Sequence, residues 1–292
     1  MKKKGAISVG VILAVYIILS FSGTIAMMQI PRLPLDTSPA SVGLVYADVS
    51  FASRDDKVVL RGWYICSRGD FVIIVIHGGY QNRIDYNVDT LGLAQGLVKT
   101  GYDLFLFDLR GRGESEGKGV ALTNIESDIG GAVDYLKNRG YSTQDIGIIG
   151  FCSGAIAACI FASQEDVGAL VLDGCPATVE NMVVRQAALR GIPSPLLKCF
   201  IPGLTLMARM TYGYKMVNPI DVMPYITCPI LFIHEESDNL ISLKETYELF
   251  KAANNPSSEL WEVRCAEHSQ AYKTHPSEYV EKLHSFFARR RE

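Results

Sequence analysis

The segment that decides the fold is Gly147-Ile148-Ile149-Gly150-Phe151-Cys152-Ser153-Gly154-Ala155. Its apolar first half is typical of a buried strand, and the small residues that continue through Ala157 and Ala158 favour a helix. Glycines two positions before and after Cys152 remove the Cβ atoms that would collide in a sharp turn between the two elements. The segment therefore predicts a strand, a tight turn with Cys152 at its apex, and a helix.

Short apolar runs recur on both sides of this segment, at residues 72–76, 104–107, 146–149, 170–172 and 230–233. Stretches of helical length separate most of them, which is typical of a parallel sheet covered by helices on both faces. Two β-rich runs come first, Val45 to Ala52 and Val58 to Ile65, and Arg54-Asp55-Asp56 between them predicts a hairpin. In such sheets the active site lies at the carboxyl ends of the strands.

Three motifs resemble those of the α/β-hydrolase superfamily. Gly150 to Gly154 matches its nucleophile elbow, Gly-x-nucleophile-x-Gly. His77-Gly78-Gly79-Tyr80 follows an apolar strand as the superfamily's oxyanion loop does, and residues 107–115, FDLRGRGES, match its Asp-x-Arg-Gly-x-Gly-x-Ser segment. The likeness extends over nearly all of Val45 to Phe287 and implies the α/β-hydrolase fold, a mostly parallel central sheet flanked by helices.

The resemblance implies that Cys152 is the nucleophile and that the N–H groups of Gly79 and Ser153 form the oxyanion hole. A thiolate here is stabilised by the helix N-terminus and by a nearby imidazole. The elbow is similar to those of dienelactone hydrolases and polyhydroxyalkanoate synthases, although that likeness covers little else. One alternative makes Ser153 the nucleophile, which would put Phe151 in place of the leading glycine. Another is a degenerate elbow in an inactive protein.

Asp238 and His268 complete the triad that the resemblance implies. Asp238 lies in a segment similar to the superfamily's His-Gly-x-x-Asp-x-x-Val, and His268 lies in one similar to its Gly-His-Ser/Ala, with Glu267 replacing the glycine. Glu236 and Asp173 are rival acids. Elimination among the five histidines also favours His268, because the other four belong to structural motifs or fall on or beside a predicted terminal helix. These four are His77, His234, His275 and His284.

The first thirty residues differ in kind from the rest. Three lysines, at positions 2–4, precede an uncharged stretch from Gly5 to Pro31 with a dense apolar run from Ala6 to Phe21. A bilayer core needs about 20 mainly apolar residues in a helix. Residues 1–31 therefore predict a membrane anchor, and the lysines place the remaining chain outside the cytoplasm. The alternative is a signal peptide cleaved near Thr24-Ile25-Ala26, which would release a secreted protein.

The remaining chain is predicted to contain a linker and one large domain. Residues 32–41 belong to a proline-rich stretch that predicts a short, stiff linker. Residues 42–292 predict the hydrolase domain. Within it, Ala177 to Tyr225 contains no strand-like run and predicts a small helical cap over the sheet. Ordinary connecting helices packed into the core are the alternative.

Composition excludes several other functions. The net charge is −3 with no basic stripe, so a nucleic-acid partner is not expected. The seven cysteines are scattered, odd in number and free of Cys-x-x-Cys pairs, which argues against a disulfide framework and a zinc site. No metal or organic cofactor is predicted.

The predicted reaction is hydrolysis of an ester, thioester or amide carbonyl through a covalent acyl-enzyme. The apolar insertion and the anchor together indicate a small-molecule acyl substrate of lipid-like character near a membrane. Two alternatives remain open: a cysteine acyltransferase, in which an alcohol or thiol accepts the acyl group, and a catalytically silent, membrane-tethered binding protein.

Overall fold

One eight-stranded sheet organises the chain, with the strand order β1-β2-β4-β3-β5-β6-β7-β8. The computed structural model describes residues 2–253 and 255–289, with side chains from residue 9 onward. Only β2 runs against its neighbours, and all other pairs are parallel. The strands are β1 (Ala47–Ala52), β2 (Val59–Ile65), β3 (Val72–Ile76), β4 (Asp103–Phe107), β5 (Ile146–Phe151), β6 (Ala169–Asp173), β7 (Ile230–Glu235) and β8 (Glu259–Val263). The predicted α/β architecture is confirmed.

Helices cover both faces of the sheet and bury two apolar layers. Every residue of β3, β4 and β5 is buried, which explains why these strands are continuously apolar in sequence. The helices are α1 (Lys2–Met28), α2 (Thr90–Lys99), α3 (Ile125–Asn138), α4 (Ser153–Ala162), α5 (Val179–Leu189), α6 (Ser194–Tyr212), α7 (Pro219–Val222), α8 (Leu243–Ala252), α9 (Ala271–Thr274) and α10 (Pro276–Arg289). Three short 3-10 helices span Pro39–Val42, Thr143–Asp145 and Met223–Tyr225.

Helix α1 includes a segment, Val9–Met28, that is long and apolar enough to cross a membrane, with 20 residues and a mean hydropathy of 2.2. The side chains of Lys2, Lys3 and Lys4, on which the predicted orientation depends, lie outside the described part of the chain. The second half of α1 packs along α6.

The segment between α1 and the sheet lies on the surface of the domain. Arg32 donates from Nη1 to the carbonyls of Gly113 at 2.8 Å and Ser115 at 2.6 Å. The Asn82 amide donates to the carbonyls of Leu33 and Pro34. These contacts hold residues 32–41, the predicted linker, against the loops that follow β3 and β4. The interval from Ala177 to Tyr225 contains α5, α6 and α7 and no strand.

Candidate active site

Cys152 occupies a strained turn between β5 and α4. Its backbone angles are φ 52° and ψ −116°, a region that residues with side chains rarely adopt. A Cβ on Gly150 would lie 2.6 Å from the Cα of Ala155, and one on Gly154 would lie 2.5 Å from the carbonyl oxygen of His77. Backbone contacts therefore exclude side chains at both glycines of the predicted elbow, and the turn leaves Cys152 lining a cavity.

Two backbone N–H groups remain available beside Cys152. Ser153 is the first residue of α4, so its N–H has no acceptor within the helix. A Cβ added to Gly79 would lie 2.6 Å from Ser153 Oγ, so the two residues are in contact. Within the described residues the Gly79 N–H forms no hydrogen bond, whereas the Gly78 N–H donates to Asp85 Oδ2 at 3.2 Å. The Gly79 and Ser153 groups can therefore donate to a bound oxyanion.

His268 and Asp238 form a hydrogen bond, with 2.7 Å between Nδ1 and Oδ2. The Asp238 side chain is fully buried, and its Oδ1 accepts the N–H groups of Leu240 at 2.6 Å and Ile241 at 2.8 Å. This carboxylate is thereby fixed in position. The other ring nitrogen, His268 Nε2, is buried and has no hydrogen-bond partner among the described residues.

The pKa of His268 depends on its burial and on two neighbouring groups, Cys152 and Asp238. Burial disfavours the imidazolium and is the largest single influence on its pKa. The charge of Cys152 and the hydrogen bond to Asp238 outweigh burial and raise the pKa of His268 to about 11. Because Nδ1 is bonded to Asp238, Cys152 acts on the Nε2 side of the ring. The arrangement can hold a thiolate–imidazolium pair.

The rival acids have other partners. Glu236 accepts the N–H of Cys265 at 2.9 Å and so shapes the loop before His268. Asp173 is fully buried at the end of β6 and accepts the Tyr279 hydroxyl at 2.8 Å. Neither forms a hydrogen bond to His268, whose carboxylate partner is Asp238.

The other histidines lie in structural positions. His77 Nε2 accepts the N–H of Leu109 and Nδ1 donates to the carbonyl of Gly78, which requires the neutral ring. Burial lowers the pKa of His77 to about 3, so the ring stays neutral. His234 faces the Thr246 hydroxyl, and burial lowers its pKa too. His284 contacts the Tyr102 hydroxyl, and His275 contacts the Arg264 carbonyl.

All seven cysteines are free, and Cys152 is the one that lines the cavity. Three others are buried in the core, where burial raises the pKa of their thiols, that of Cys228 to about 12. The remaining three are exposed at the surface. The buried set is Cys159, Cys175 and Cys228, and the exposed set is Cys66, Cys199 and Cys265.

The cavity in front of Cys152 is mainly apolar and encloses about 1160 Å³ of empty space, including the part open to solvent. Two contributions to its wall were not predicted from the sequence. One is Arg112, a buried side chain that donates to the carbonyls of Arg110 at 2.8 Å and Gly79 at 3.4 Å. Burial lowers the pKa of Arg112 to about 10. Nothing in the FDLRGRGES motif distinguishes this arginine from its neighbours.

The second contribution comes from the end of α1. Thr24, Met27 and Met28 line the cavity together with Ile30. A signal for packing on this helix is present in the sequence, because hydroxyl groups recur at four-residue spacing at Tyr16, Ser20 and Thr24. Such spacing places them on one face of a helix.

Comparison with known proteins agrees with this architecture. A family model described as the alpha/beta hydrolase fold matches residues 72–197. The uncharacterised protein YqkD of Bacillus subtilis is 28% identical over 220 residues, which cover 73% of this chain and 70% of YqkD. The alpha/beta hydrolase domain-containing protein 17B of Xenopus laevis is 23% identical, covering 81% of this chain and 73% of that protein.

Among solved structures, the esterase Pf2001 of Pyrococcus furiosus superposes with a TM-score of 0.76 at 25% identity. The match covers 90% of this chain and 98% of the esterase.

Proposed function

Because this chain is an α/β hydrolase, we propose that it hydrolyses an ester, thioester or amide carbonyl through a covalent acyl-enzyme on Cys152. One observation carries the proposal: His268 is bonded to Asp238 through Nδ1, its buried Nε2 has no hydrogen-bond partner among the residues that the structure describes, and Cys152 raises the pKa of the ring. The likeness to an esterase at 25% identity supports an ester as one substrate class.

In the acylation step the Cys152 thiolate attacks the carbonyl carbon, and the carbonyl electrons move onto oxygen. The Gly79 and Ser153 N–H groups stabilise that oxyanion. As the tetrahedral intermediate collapses, the bond to the leaving group breaks and the His268 imidazolium donates its Nε2 proton to the departing alcohol, thiol or amine. Cys152 then carries the acyl group as a thioester, and His268 is neutral.

In the deacylation step neutral His268 removes a proton from water, and the hydroxide attacks the thioester carbon. Collapse of the second intermediate releases the carboxylic acid and restores the Cys152 thiolate beside the His268 imidazolium. Asp238 orients the ring and stabilises its charged form throughout. Asp238 is fully buried and bonds to Nδ1 of the imidazole, on the opposite side of the ring from the Nε2 that transfers the proton.

The experiment that tests the nucleophile is intact-mass analysis of the full chain after brief treatment with activated esters and thioesters. A mass increase of one acyl group in the wild type that is absent from C152A supports the proposal. S153A is the matched control, because its side chain lies next to Cys152 and touches Gly79. Labelling lost in S153A and retained in C152A would move the nucleophile to Ser153 and overturn the assignment.

Water is the proposed acceptor, and a thiol or alcohol acceptor would make the protein a cysteine acyltransferase. Product analysis in the presence of competing alcohols and thiols separates the two. A protein whose Cys152 forms no adduct with any of these reagents would instead be a binding protein.

We also propose that α1 anchors the protein in a membrane with the hydrolase domain outside the cytoplasm. Cys66 and Cys265 are exposed on that domain and report its location. A membrane-impermeant maleimide should label them in intact cells, and the C66S/C265S double variant controls for other thiols. Labelling of the two residues only after lysis would place the domain inside and reject this orientation.

A further inference from the structure

The end of α1 is part of the wall of the active-site cavity. Thr24, Met27 and Met28 line the same cavity as Cys152 and Ser153. Residues of α5 and α6 close the cavity from another side. A helix that served only to attach the domain to a membrane would have no need to line the cavity that contains Cys152.

The chain that follows α1 is held in this position by backbone hydrogen bonds. The N–H of Ala121 donates to the carbonyl of Met28 at 2.8 Å, and the N–H of Ile30 donates to the carbonyl of Gly119 at 2.8 Å. Gln29 and Val120 form an antiparallel bridge between these bonds. The last turn of α1 is therefore tied to the loop before α3 and stays at the cavity.

Helix α1 also packs closely against α6. The Tyr16 hydroxyl donates to the carbonyl of Cys199 and accepts the N–H of Gly203, both at 3.1 Å. The Thr24 hydroxyl donates to the carbonyl of Leu204 at 3.1 Å. A Cβ on Gly203 would lie 2.3 Å from Ser20 Oγ, so the glycine permits the close approach. Small residues and hydroxyl-to-backbone bonds of this kind join helices within membranes.

Apolar side chains are exposed on both helices, and on α6 the charged residues Lys198 and Arg209 are exposed beside them. On α1, Ile12 is 69% exposed and Ile18 61% exposed, and on α6, Leu206 is 53% and Met210 72% exposed. Such exposure is unfavourable in water and favourable among lipid acyl chains. The paired helices therefore bring the cavity to the bilayer.

We propose that the last two turns of α1 form the subsite for the acyl chain of the substrate, and that this chain is a long, unbranched apolar group drawn from the bilayer. The assignment rests on the proposed acyl transfer to Cys152 and adds its substrate class. It also requires that α1 be retained. Cleavage after Ala26 would remove Thr24 and leave a charged amino terminus on Met27, inside an apolar wall.

Met28→Trp tests the subsite, because the larger side chain shortens the cavity from the α1 side. Ala26→Trp is the matched control, since Ala26 lies on the same turn, is exposed and does not line the cavity. The full chain in nanodiscs is assayed for the ratio of kcat/KM between palmitoyl and acetyl substrates. We expect M28W to lower this ratio at least tenfold and A26W to leave it unchanged. Comparing kcat/KM for palmitoyl glycerol with kcat/KM for a palmitoyl thioester of a cysteine peptide shows whether the acyl chain comes from a lipid ester or from a thioester on a peptide.

A second readout does not depend on the chemistry of Cys152. In the C152A background, a palmitate that carries a diazirine should photo-crosslink to Met182 and Val183 of α5, which line the cavity. M28W should reduce that crosslink and A26W should not. If M28W reduces the crosslink but the protein with Cys152 intact hydrolyses none of the substrates, the proposed hydrolysis is rejected and the subsite is kept.

Two results would overturn the proposal: an M28W protein with the wild-type chain-length ratio and crosslink, or membrane-purified protein whose intact mass lacks residues 1–26. A wild-type mass that includes α1, together with the M28W effect, supports it.

Discussion

The carboxyl groups of Asp173 and Glu235 are buried together at the ends of the adjacent strands β6 and β7. The Tyr279 hydroxyl donates to Asp173 at 2.8 Å, but within the described residues neither Glu235 oxygen receives a hydrogen bond. Two ionised carboxylates cannot bond to each other, so one of them holds a proton. Burial and the negative charge of Asp173 raise the pKa of Glu235 well above its usual value. We therefore expect Glu235 to be the protonated partner, placed to donate to Asp173.

This proton makes stability depend on pH. A carboxyl whose pKa is higher in the folded than in the unfolded chain contributes stability below the unfolded value, and that stability is lost as the pH rises through the folded value. The contribution of Glu235 to stability should therefore fall as the pH rises above about 4.3, the usual pKa of a glutamate, by up to about 1.4 kcal/mol per pH unit. Glu235→Gln should remove this slope, because the amide donates to Asp173 at every pH.

Thermal unfolding of the wild type and E235Q between pH 5 and pH 9 measures the difference. Glu281→Gln is the control, since Glu281 is exposed on α10. Parallel pH profiles for wild type and E235Q would show that Glu235 is not the proton carrier.

Asp238→Asn tests which carboxylate serves His268. The amide keeps the size of the side chain but loses the charge and favours the wrong ring tautomer, which costs about 10⁴-fold in kcat in a comparable triad. Glu236→Gln should retain most activity, because Glu236 bonds to the Cys265 N–H and not to the imidazole. Steady-state kinetics on the best ester or thioester compares the two. Equal losses would assign the role to Glu236 as much as to Asp238.

Removing the Cys152 thiol should change the titration of His268. Burial opposes the imidazolium, whereas Cys152 and Asp238 raise the pKa of His268 to about 11. In C152A the influence of Cys152 is gone, so the pKa should fall while the Asp238 bond remains. NMR titration of the His268 imidazole in both proteins measures the shift. An unchanged pKa in C152A would mean that the thiol and the imidazole do not interact.

Gly154→Ala should disrupt the elbow. The new Cβ would meet the carbonyl oxygens of both His77 and Ile76 at 2.5 Å, and backbone atoms of a buried strand have no room to move. We expect a loss of about 3 kcal/mol in unfolding free energy, roughly 6–12 °C in Tm for a domain of this size. Gly10→Ala is the control, because a Cβ there meets nothing within 4 Å. A G154A protein with wild-type Tm would contradict the elbow geometry.

Local sequence carries much of this architecture. The glycines around Cys152 predict the turn because their effect is steric and confined to neighbouring atoms. The continuous apolar runs of β3, β4 and β5 predict buried parallel strands because both faces of each are covered. The Asp238 and His268 assignments came from a resemblance and from elimination. Their 2.7 Å contact joins residues 30 positions apart on loops that only the sheet brings together.

Tertiary structure alone decided the contacts between distant elements. The Tyr16 hydroxyl meets residues of α6 183 and 187 positions further along the chain, and Glu235 meets Asp173 across two strands. Periodicity in a sequence reports which face of an element is apolar, but it does not identify the element that covers that face. The apolar character of α1 therefore predicted a membrane helix, whereas its place in the active-site wall depends on its packing against α6 and on its bonds to the loop before α3.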